Sequence, residues 1–181
     1  MEHTTSTAKW VLDPSHSELL FKVKHLMIAN VKGEFRKFNA TVEGDDFSKA
    51  SVKVNIDASS IFTNEENRDT HLKSTDFFDV ENHKEIVFES KSIRKVDENR
   101  YKLIGDLLIK GISNEVILEA DFGGVNTDPW GNEKAGFSLT GKISRKDWGL
   151  NWNTALETGG VLVSDEVRIN GEVEFVKQQL N

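Results

Sequence analysis

The chain has 181 residues, a formal net charge of −7 and no cysteine. This length suits one domain that can bury a sizeable core without disulfides, and the absence of cysteine excludes thiolate chemistry. The acidic balance disfavours binding to nucleic acid and to anionic lipid headgroups, and no apolar run is long enough to span a bilayer. We therefore expect no nucleic-acid partner and no transmembrane segment.

The N-terminal residues, MEHTTSTAKW, lack the basic and apolar regions of a secretory signal. We expect residues 1–8 to form a flexible polar lead and residues 9–181 to form a single domain. The expected location is the cytoplasm, or the periplasm if a signal was removed from the sequence.

Most of the chain alternates apolar and polar residues with period two, which indicates antiparallel strands with one buried and one wet face. In SELLFKVKHL, for example, Phe21 and Val23 fall on one face and Lys22 and Lys24 on the other. Clusters of Gly, Asn and Asp between the runs are typical of hairpin turns. The pattern predicts strands at about 9–13, 17–26, 31–43, 50–60, 84–96, 100–110, 114–126, 135–145 and 164–177.

One segment, TNEENRDTHLKSTDFFD at 63–79, breaks this pattern. Thr63 with Glu66 three residues later matches a capping box, so a short helix is predicted over about 64–74. A tight turn after this helix would carry Phe77 and Phe78 and fix their positions.

Eight or nine long strands in a chain of this size are unstable as an open sheet, because both edges would stay exposed. The predicted fold is therefore all-β: a closed eight-stranded antiparallel up-and-down barrel with one short inserted helix. A two-sheet sandwich is the alternative. A barrel of eight strands is either filled by side chains or holds one small ligand.

Small residues at inward positions favour a hollow interior. They lie among large apolar side chains and would leave part of the interior volume unfilled. A pocket for a long apolar ligand requires such free volume. The alternative is that inward glycines only allow strong strand coiling. The small inward residues are Ser90, Ser92, Gly105, Ala120, Gly141 and Gly171.

The stretch ISRKDWGLNWN at 143–153 holds two of the four tryptophans, Trp148 and Trp152, just after a predicted strand. They would cover apolar interior at one barrel end, beside Phe77 and Phe78. Either both are ordinary core that closes this end, or they form a wall or gate of a ligand site. Nearby Arg145 and Asp147 could hold the loop in place.

Seven motifs follow one another along the chain: WVLDPSHSELLFKVKH (10–25), VKGEF (31–35), HLKSTDFFD (71–79), IVFESKSI (86–93), GDLLIKGISNEVIL (105–118), ISRKDWGLNW (143–152) and VSDEVRINGEVEF (163–175). In this order they resemble the YceI-like family of bacterial polyisoprenoid-binding proteins. The resemblance runs from Trp10 to Phe175, and its two local departures are Lys84, where the family often has Pro, and Ser144 with Trp148, where Asn and Phe are common.

The resemblance implies an extended lipocalin-like barrel that holds a long-chain isoprenoid, such as a prenyl quinone or a polyprenyl phosphate. Family members often form dimers, so we expect a homodimer; no cofactor or metal is expected. An amphiphile's headgroup would sit at a barrel mouth near His16, Arg145 or Asn153. The predicted lining is Phe21, Val23, Phe35, Phe78, Phe88, Leu107, Ile109, Leu118, Phe137, Leu139, Trp148, Trp152 and Ile169.

Catalysis has little support in the sequence. The five histidines form no HExxH motif, and neither a Gly-rich phosphate loop nor GxSxG is present. A triad of Ser74, His71 and Asp69 is conceivable, but no oxyanion hole is identifiable. We therefore expect a binding protein and no enzyme. The alternatives are a non-catalytic stress-related interaction protein and a lipid hydrolase.

Overall fold

The computed structural model describes residues 8–26, 28–153 and 163–178. Within these residues the chain forms eleven strands in one antiparallel sheet and one α-helix. The helix, α1 (Glu66–Lys73), is too short to cross a membrane, and no other helix of the described residues is long or apolar enough to do so. The strands are β1 Lys9–Leu12, β2 Glu18–His25, β3 Ala29–Phe35, β4 Phe38–Glu43, β5 Ser51–Asp57, β6 Ile61–Phe62, β7 Glu85–Lys95, β8 Arg100–Ile109, β9 Ile112–Thr127, β10 Glu133–Ser144 and β11 Glu166–Lys177, and α1 is Glu66–Lys73.

The sheet closes on itself because β1 pairs with β4 on one side and with β11 on the other. The closed ring runs β1-β4-β5-β7-β8-β9-β10-β11 and back to β1. The remaining three strands extend the wall beyond the ends of β1, β4 and β5. Next to β1, β2 pairs with β11; next to β4, β3 pairs with β2; and next to β5, β6 pairs with β3. The predicted closed eight-stranded up-and-down barrel is thus confirmed.

The two predicted strands at 31–43 and 50–60 are each interrupted. Arg36 and Lys37 lie between β3 and β4, and a 3₁₀ turn at Ala58–Ser60 separates β5 from β6. The Asp57 side chain accepts the Ser59 N–H at 3.0 Å, which offers the backbone an alternative to the strand ladder. The other 3₁₀ turns are Pro14–His16, Phe47–Lys49 and Arg145–Trp148.

The helix forms where it was predicted, but the predicted cap is wrong. Glu65 is the N-cap, and its carboxylate accepts the N–H groups of Asn67 and Arg68. Thr63 is buried instead, and both its N–H and its hydroxyl donate to Asp69. Thr63 therefore ties the end of β6 to the helix.

The inward phase is as predicted on most strands, with one error on β7. A bulge between Ser90 and Ser92 adds one residue, so Ile93 turns towards the interior and Ser92 is exposed. On β8 the alternate residues Tyr101, Leu103 and Leu107 are all buried.

The inward glycines at 105 and 141 do not themselves leave open volume, which corrects the expectation above. A Cβ on Gly105 would lie 2.4 Å from the Glu89 carbonyl oxygen and 2.6 Å from Cζ of Phe88. A Cβ on Gly141 would lie 2.5 Å from Cδ2 of Leu118. Each glycine gives a neighbouring large side chain room to lie against the wall.

The two ends of the barrel differ. At one, which we call the Phe47 end, the Phe47 ring packs against Phe137, Phe122 and Trp10 at centroid distances of 5.2, 5.3 and 5.7 Å. The other, the α1 end, carries α1, the 3₁₀ turn Arg145–Trp148 and the turn between β2 and β3. Of the predicted polar lead, residues 1–7 lie outside the described residues, whereas Ala8 is buried and its N–H donates to Asp45.

Replacing Gly105 with alanine should destabilise the protein. The new methyl group would overlap a backbone carbonyl that cannot move without breaking the β7–β8 ladder, which costs about 1–3 kcal/mol. Gly136→Ala is the matched control, since no atom lies within 4 Å of its added Cβ. Urea unfolding of both variants checks this, and equal midpoints for the two would contradict it.

Candidate functional site

The barrel encloses a cavity of about 570 Å³, which extends from the Phe47 end to the α1 end. This volume lies within the range of small-molecule sites. Its lining is almost entirely apolar. Inward side chains such as Phe21, Val23, Leu139 and Ile169 are only partly buried inside the barrel, because their remaining accessible surface faces the cavity.

The cavity is elongated. The inward residues of β8 run from Tyr101 to Ile109, and all the inward large side chains between them line it. At a rise of about 3.4 Å per residue, this is roughly 27 Å of wall measured along the strand. A long, narrow ligand fits this shape better than a compact one.

All of the predicted apolar ligand contacts line the cavity except Trp148. They come from strands far apart in sequence, and the period-two pattern brings them together. Those that line it are Phe21, Val23, Phe35, Phe78, Phe88, Leu107, Ile109, Leu118, Phe137, Leu139, Trp152 and Ile169.

The two tryptophans of the 143–153 stretch have different places. Trp148 is 2% exposed and its Nε1–H donates to the Leu107 carbonyl at 2.8 Å, so it is core behind the wall. A phenylalanine there could not make this bond. Trp152 lines the cavity at the α1 end, with its ring 4.6 Å from that of His71 and 5.6 Å from that of Phe77.

Arg145 holds the loop that carries Trp152. Its guanidinium is 4% exposed and donates to the carbonyls of Leu150 (2.6 Å), Trp152 (2.8 Å), Ser164 (2.9 Å) and Val163 (3.3 Å). Burial lowers the pKa of Arg145 from its usual range. Because Arg145 also lines the cavity, it adds a cationic group to a largely apolar wall.

The other two predicted headgroup contacts, His16 and Asn153, do not line the cavity. The side-chain amide of Asn153 makes two hydrogen bonds with the backbone of Val163: it donates to the carbonyl at 2.7 Å and accepts from the N–H at 3.1 Å. His16 lies on the exposed turn between β1 and β2, where its Nδ1 is 2.9 Å from the Asp13 carboxylate.

Apart from Arg145, sequence reasoning missed the polar part of the lining, which lies at the α1 end. Of the described residues that line the cavity, Asn67 and Arg68 alone are exposed, so the cavity reaches the surface beside the first turn of α1. The helix α1 carries charged side chains on all sides, so its sequence has no apolar stripe that would indicate which face points into the barrel. The missed residues are His25, Thr63, Asn67, Arg68 and His71.

The structure does not assemble the conceivable triad. Asp69 accepts from Thr63, Nε2 of His71 lies 2.9 Å from Asp76, and the Ser74 hydroxyl donates to the His71 carbonyl. These contacts anchor the helix and the turn after it. They do not form a proton relay from serine to histidine to carboxylate.

A cluster of Asp13, His16 and Glu174 on the outside of the barrel has the ligand types of a metal site. However, Nζ of Lys134 lies 3.2 Å from Asp13 and 3.3 Å from Glu174, so an ammonium group already supplies the positive charge. Hydrogen bonds from His16, Ser15 and Lys134 hold the pKa of Asp13 well below its usual range. The cluster fastens the β1–β2 bend to β10 and β11.

Together, the closed meander and its apolar cavity define a hollow, lipocalin-like barrel that encloses its ligand site. Comparison with known proteins agrees. The YceI-like domain model matches residues 10–175, and the chain therefore belongs to the YceI-like family.

Similar proteins cover nearly the whole chain. A UPF0312 protein of Staphylococcus aureus strain N315 is 46% identical over 169 residues, which are 92% of this chain and 96% of the relative. The YCEI protein of Campylobacter jejuni is 36% identical with a TM-score of 0.75, over 86% of this chain and 90% of that one. A polyisoprenoid binding domain from Saccharophagus degradans, implicated in plant cell wall breakdown, shares the fold at 13% identity and a TM-score of 0.69, over 93% and 98% of the two chains.

Replacing Arg145 with methionine should destabilise the protein by about 3 kcal/mol or more, because several buried carbonyls lose their donor. Lys146→Met is the matched control: Lys146 is exposed and pairs with Asp165 at 3.3 Å, so its loss should change stability by less than about 1 kcal/mol. Denaturant unfolding followed by tryptophan fluorescence measures both. An Arg145→Met protein as stable as Lys146→Met would show that the loop is held by other contacts.

Replacing Asp13 with asparagine should lower stability at neutral pH and matter little in acid. A carboxyl whose folded pKa is depressed contributes stability above its unfolded pKa, near 3.9, and this contribution is lost as the pH falls towards the folded pKa. The difference in free energy of unfolding between wild type and Asp13→Asn should therefore shrink below about pH 4. A difference that stays constant from neutral pH into acid would contradict the assignment.

Proposed function

We propose that this protein binds one long-chain apolar lipid inside its barrel, a polyisoprenoid such as a prenyl quinone or a polyprenyl phosphate, and sequesters or carries it. The observation that carries the proposal is the elongated apolar cavity through the length of the barrel. Membership of the YceI-like family supports it, as does the fold shared with the polyisoprenoid binding domain. No cofactor and no catalytic step are part of the proposal.

Burial of the chain is sufficient for micromolar binding. Each buried methylene contributes about 0.8 kcal/mol, so roughly fifteen carbons give ~12 kcal/mol before the cost of association. At the lower end of that cost, about 4 kcal/mol, roughly 8 kcal/mol remains, which corresponds to a dissociation constant near 1 μM without a specific polar contact. Chain length and shape should then set selectivity more than the headgroup does.

The distribution of polar groups gives the ligand an orientation. The Phe47 end is filled by packed aromatic rings, whereas Arg68, His71 and Arg145 line the α1 end. The apolar tail would point towards Phe47, and the headgroup would lie beside α1, where the cavity reaches the surface. Arg145 and Arg68 would favour an oxygen-rich or anionic headgroup.

Replacing Ile169 with tryptophan should weaken the uptake of long prenyl chains, because the indole would fill cavity volume that the ligand needs. Displacing about three methylenes corresponds to roughly a 50-fold loss of affinity for a long chain, and less for a short one. Thr140→Trp on the neighbouring strand is the matched control, since Thr140 is exposed on the outer face. Titration of delipidated protein with prenyl alcohols of increasing length, with the bound fraction counted by native mass spectrometry, measures the effect.

If Ile169→Trp binds long chains as tightly as wild type, the ligand does not occupy this cavity. If neither protein takes up any prenyl or acyl chain, the interaction-protein alternative replaces the lipid-binding proposal. Turnover of a lipid ester that His71→Ala removes would instead favour the hydrolase alternative.

A further inference from the structure

The outer wall of the barrel carries a row of cations that the strand register sets side by side. Lys142 on β10 is directly opposite Arg168 on β11, Arg168 is opposite Lys22 on β2, and Lys22 is opposite Lys32 on β3. Lys24, which is exposed, follows two residues after Lys22 on the same face. We call these five residues the basic face.

Such an arrangement is unfavourable for folding, because like charges directly opposite each other in a sheet repel. Elsewhere the register includes opposite-sign pairs, such as Lys53 with Glu89 on β5 and β7, and single like-sign pairs, such as Arg94 with Lys102 on β7 and β8. The basic face differs from these because four cations are paired in succession across four neighbouring strands. Within the described residues, the ion pair that the basic face makes is Arg168 with Glu166, at 3.5 Å. A row that opposes folding in a chain of net charge −7 indicates an anionic partner outside the molecule.

Charge is unevenly distributed along this wall: Glu166 flanks Arg168 on the side of the α1 end, and acidic residues occur again beyond the basic face. Towards the Phe47 end, the same strands carry Glu172 directly opposite Glu18. The basic face lies nearer the α1 end, where the cavity reaches the surface. The net charge of the whole chain therefore does not describe the potential beside the cavity opening.

Apolar side chains stand next to the basic face. Between β2 and β3, Ile28 is 87% accessible and Leu26 is 39% accessible. Both residues belong to the hairpin that carries Lys22, Lys24 and Lys32. Exposed apolar residues flanked by lysines are the combination that binds the interface of an anionic bilayer, where the lysines meet headgroups and the apolar tip enters the acyl boundary.

We propose that the basic face, together with Leu26 and Ile28, forms a docking surface for an anionic membrane. The barrel rests on the side that carries β11, β2 and β3, with Ile28 inserted and the α1 end turned towards the lipid. This docking rests on the outer surface alone. Its consequence, that a lipid passes directly between the bilayer and the cavity, also rests on the proposed function.

Sedimentation with vesicles tests the docking. Purified protein is mixed with vesicles of phosphatidylcholine alone and of phosphatidylcholine with phosphatidylglycerol, at low and at physiological salt. Wild type should bind the anionic vesicles and lose binding as salt rises. Each lysine near an anionic surface contributes about fivefold in affinity, so Lys22→Gln/Lys32→Gln should bind roughly 30-fold more weakly.

Matched variants separate this surface from general charge effects. Lys49→Gln/Lys95→Gln removes the same charge from exposed positions at the Phe47 end and should leave vesicle binding unchanged. Ile28→Ser should weaken binding without altering the thermal unfolding temperature. The Lys22→Gln/Lys32→Gln protein should unfold at the same temperature as wild type or higher, because a repulsion has been removed.

Three outcomes would overturn the proposal. Wild type could fail to bind anionic vesicles, or the two double variants could lose binding equally. Alternatively, the Lys22→Gln/Lys32→Gln change could alter the mass of the protein in solution and leave vesicle binding intact, which would assign the basic face to a second copy's acidic wall. Uptake of prenyl alcohols from solution, measured in parallel on the same variant, distinguishes failed docking from a failed cavity.

Discussion

The pairing of the first strand with the last is the interaction on which the rest of the structure depends. Trp10, Val11 and Leu12 pair with Lys177, Val176 and Phe175, and this short ladder closes the ring. β11 then continues past β1 and pairs with β2, so a single long strand holds both parts of the bent N-terminal segment. Closure removes the sheet edges and fixes the strand number at eight, a width at which an interior is either filled or holds one ligand.

Glycine determines which of these two outcomes results, although not by leaving gaps at its own position. The ring of Phe88 lies where a side chain at 105 would be, Leu118 lies over Gly141, and the Phe21 ring lies over Gly33. Large side chains thus fold down against the wall and leave the centre free. The same wall supplies apolar surface on the inside and, through the antiparallel register, aligns the cations on the outside. One alternating pattern therefore produces both the cavity and the basic face.

Much of the fold and of the apolar lining could be predicted from the sequence, because period-two alternation reports directly on which face is buried. What failed depended on local geometry that composition does not reveal. A bulge shifts the phase at Ser92, a 3₁₀ turn sends Trp148 into the core and leaves Trp152 at the cavity, and Glu65 replaces Thr63 as the helix cap. The polar entrance beside α1 was missed because the helix is charged all round. The basic face requires the register, since Lys142, Arg168 and Lys22 are distant in sequence.

The central claim is that the barrel is hollow and filled by one long apolar lipid. Native mass spectrometry of gently purified protein tests it most directly, with identification of whatever organic solvent releases. The account predicts a discrete excess mass that matches one prenyl or acyl lipid per chain, and its loss in Ile169→Trp. A mass equal to that of the bare chain, together with no uptake of added prenyl lipids, would contradict the claim and leave the cavity without a ligand role.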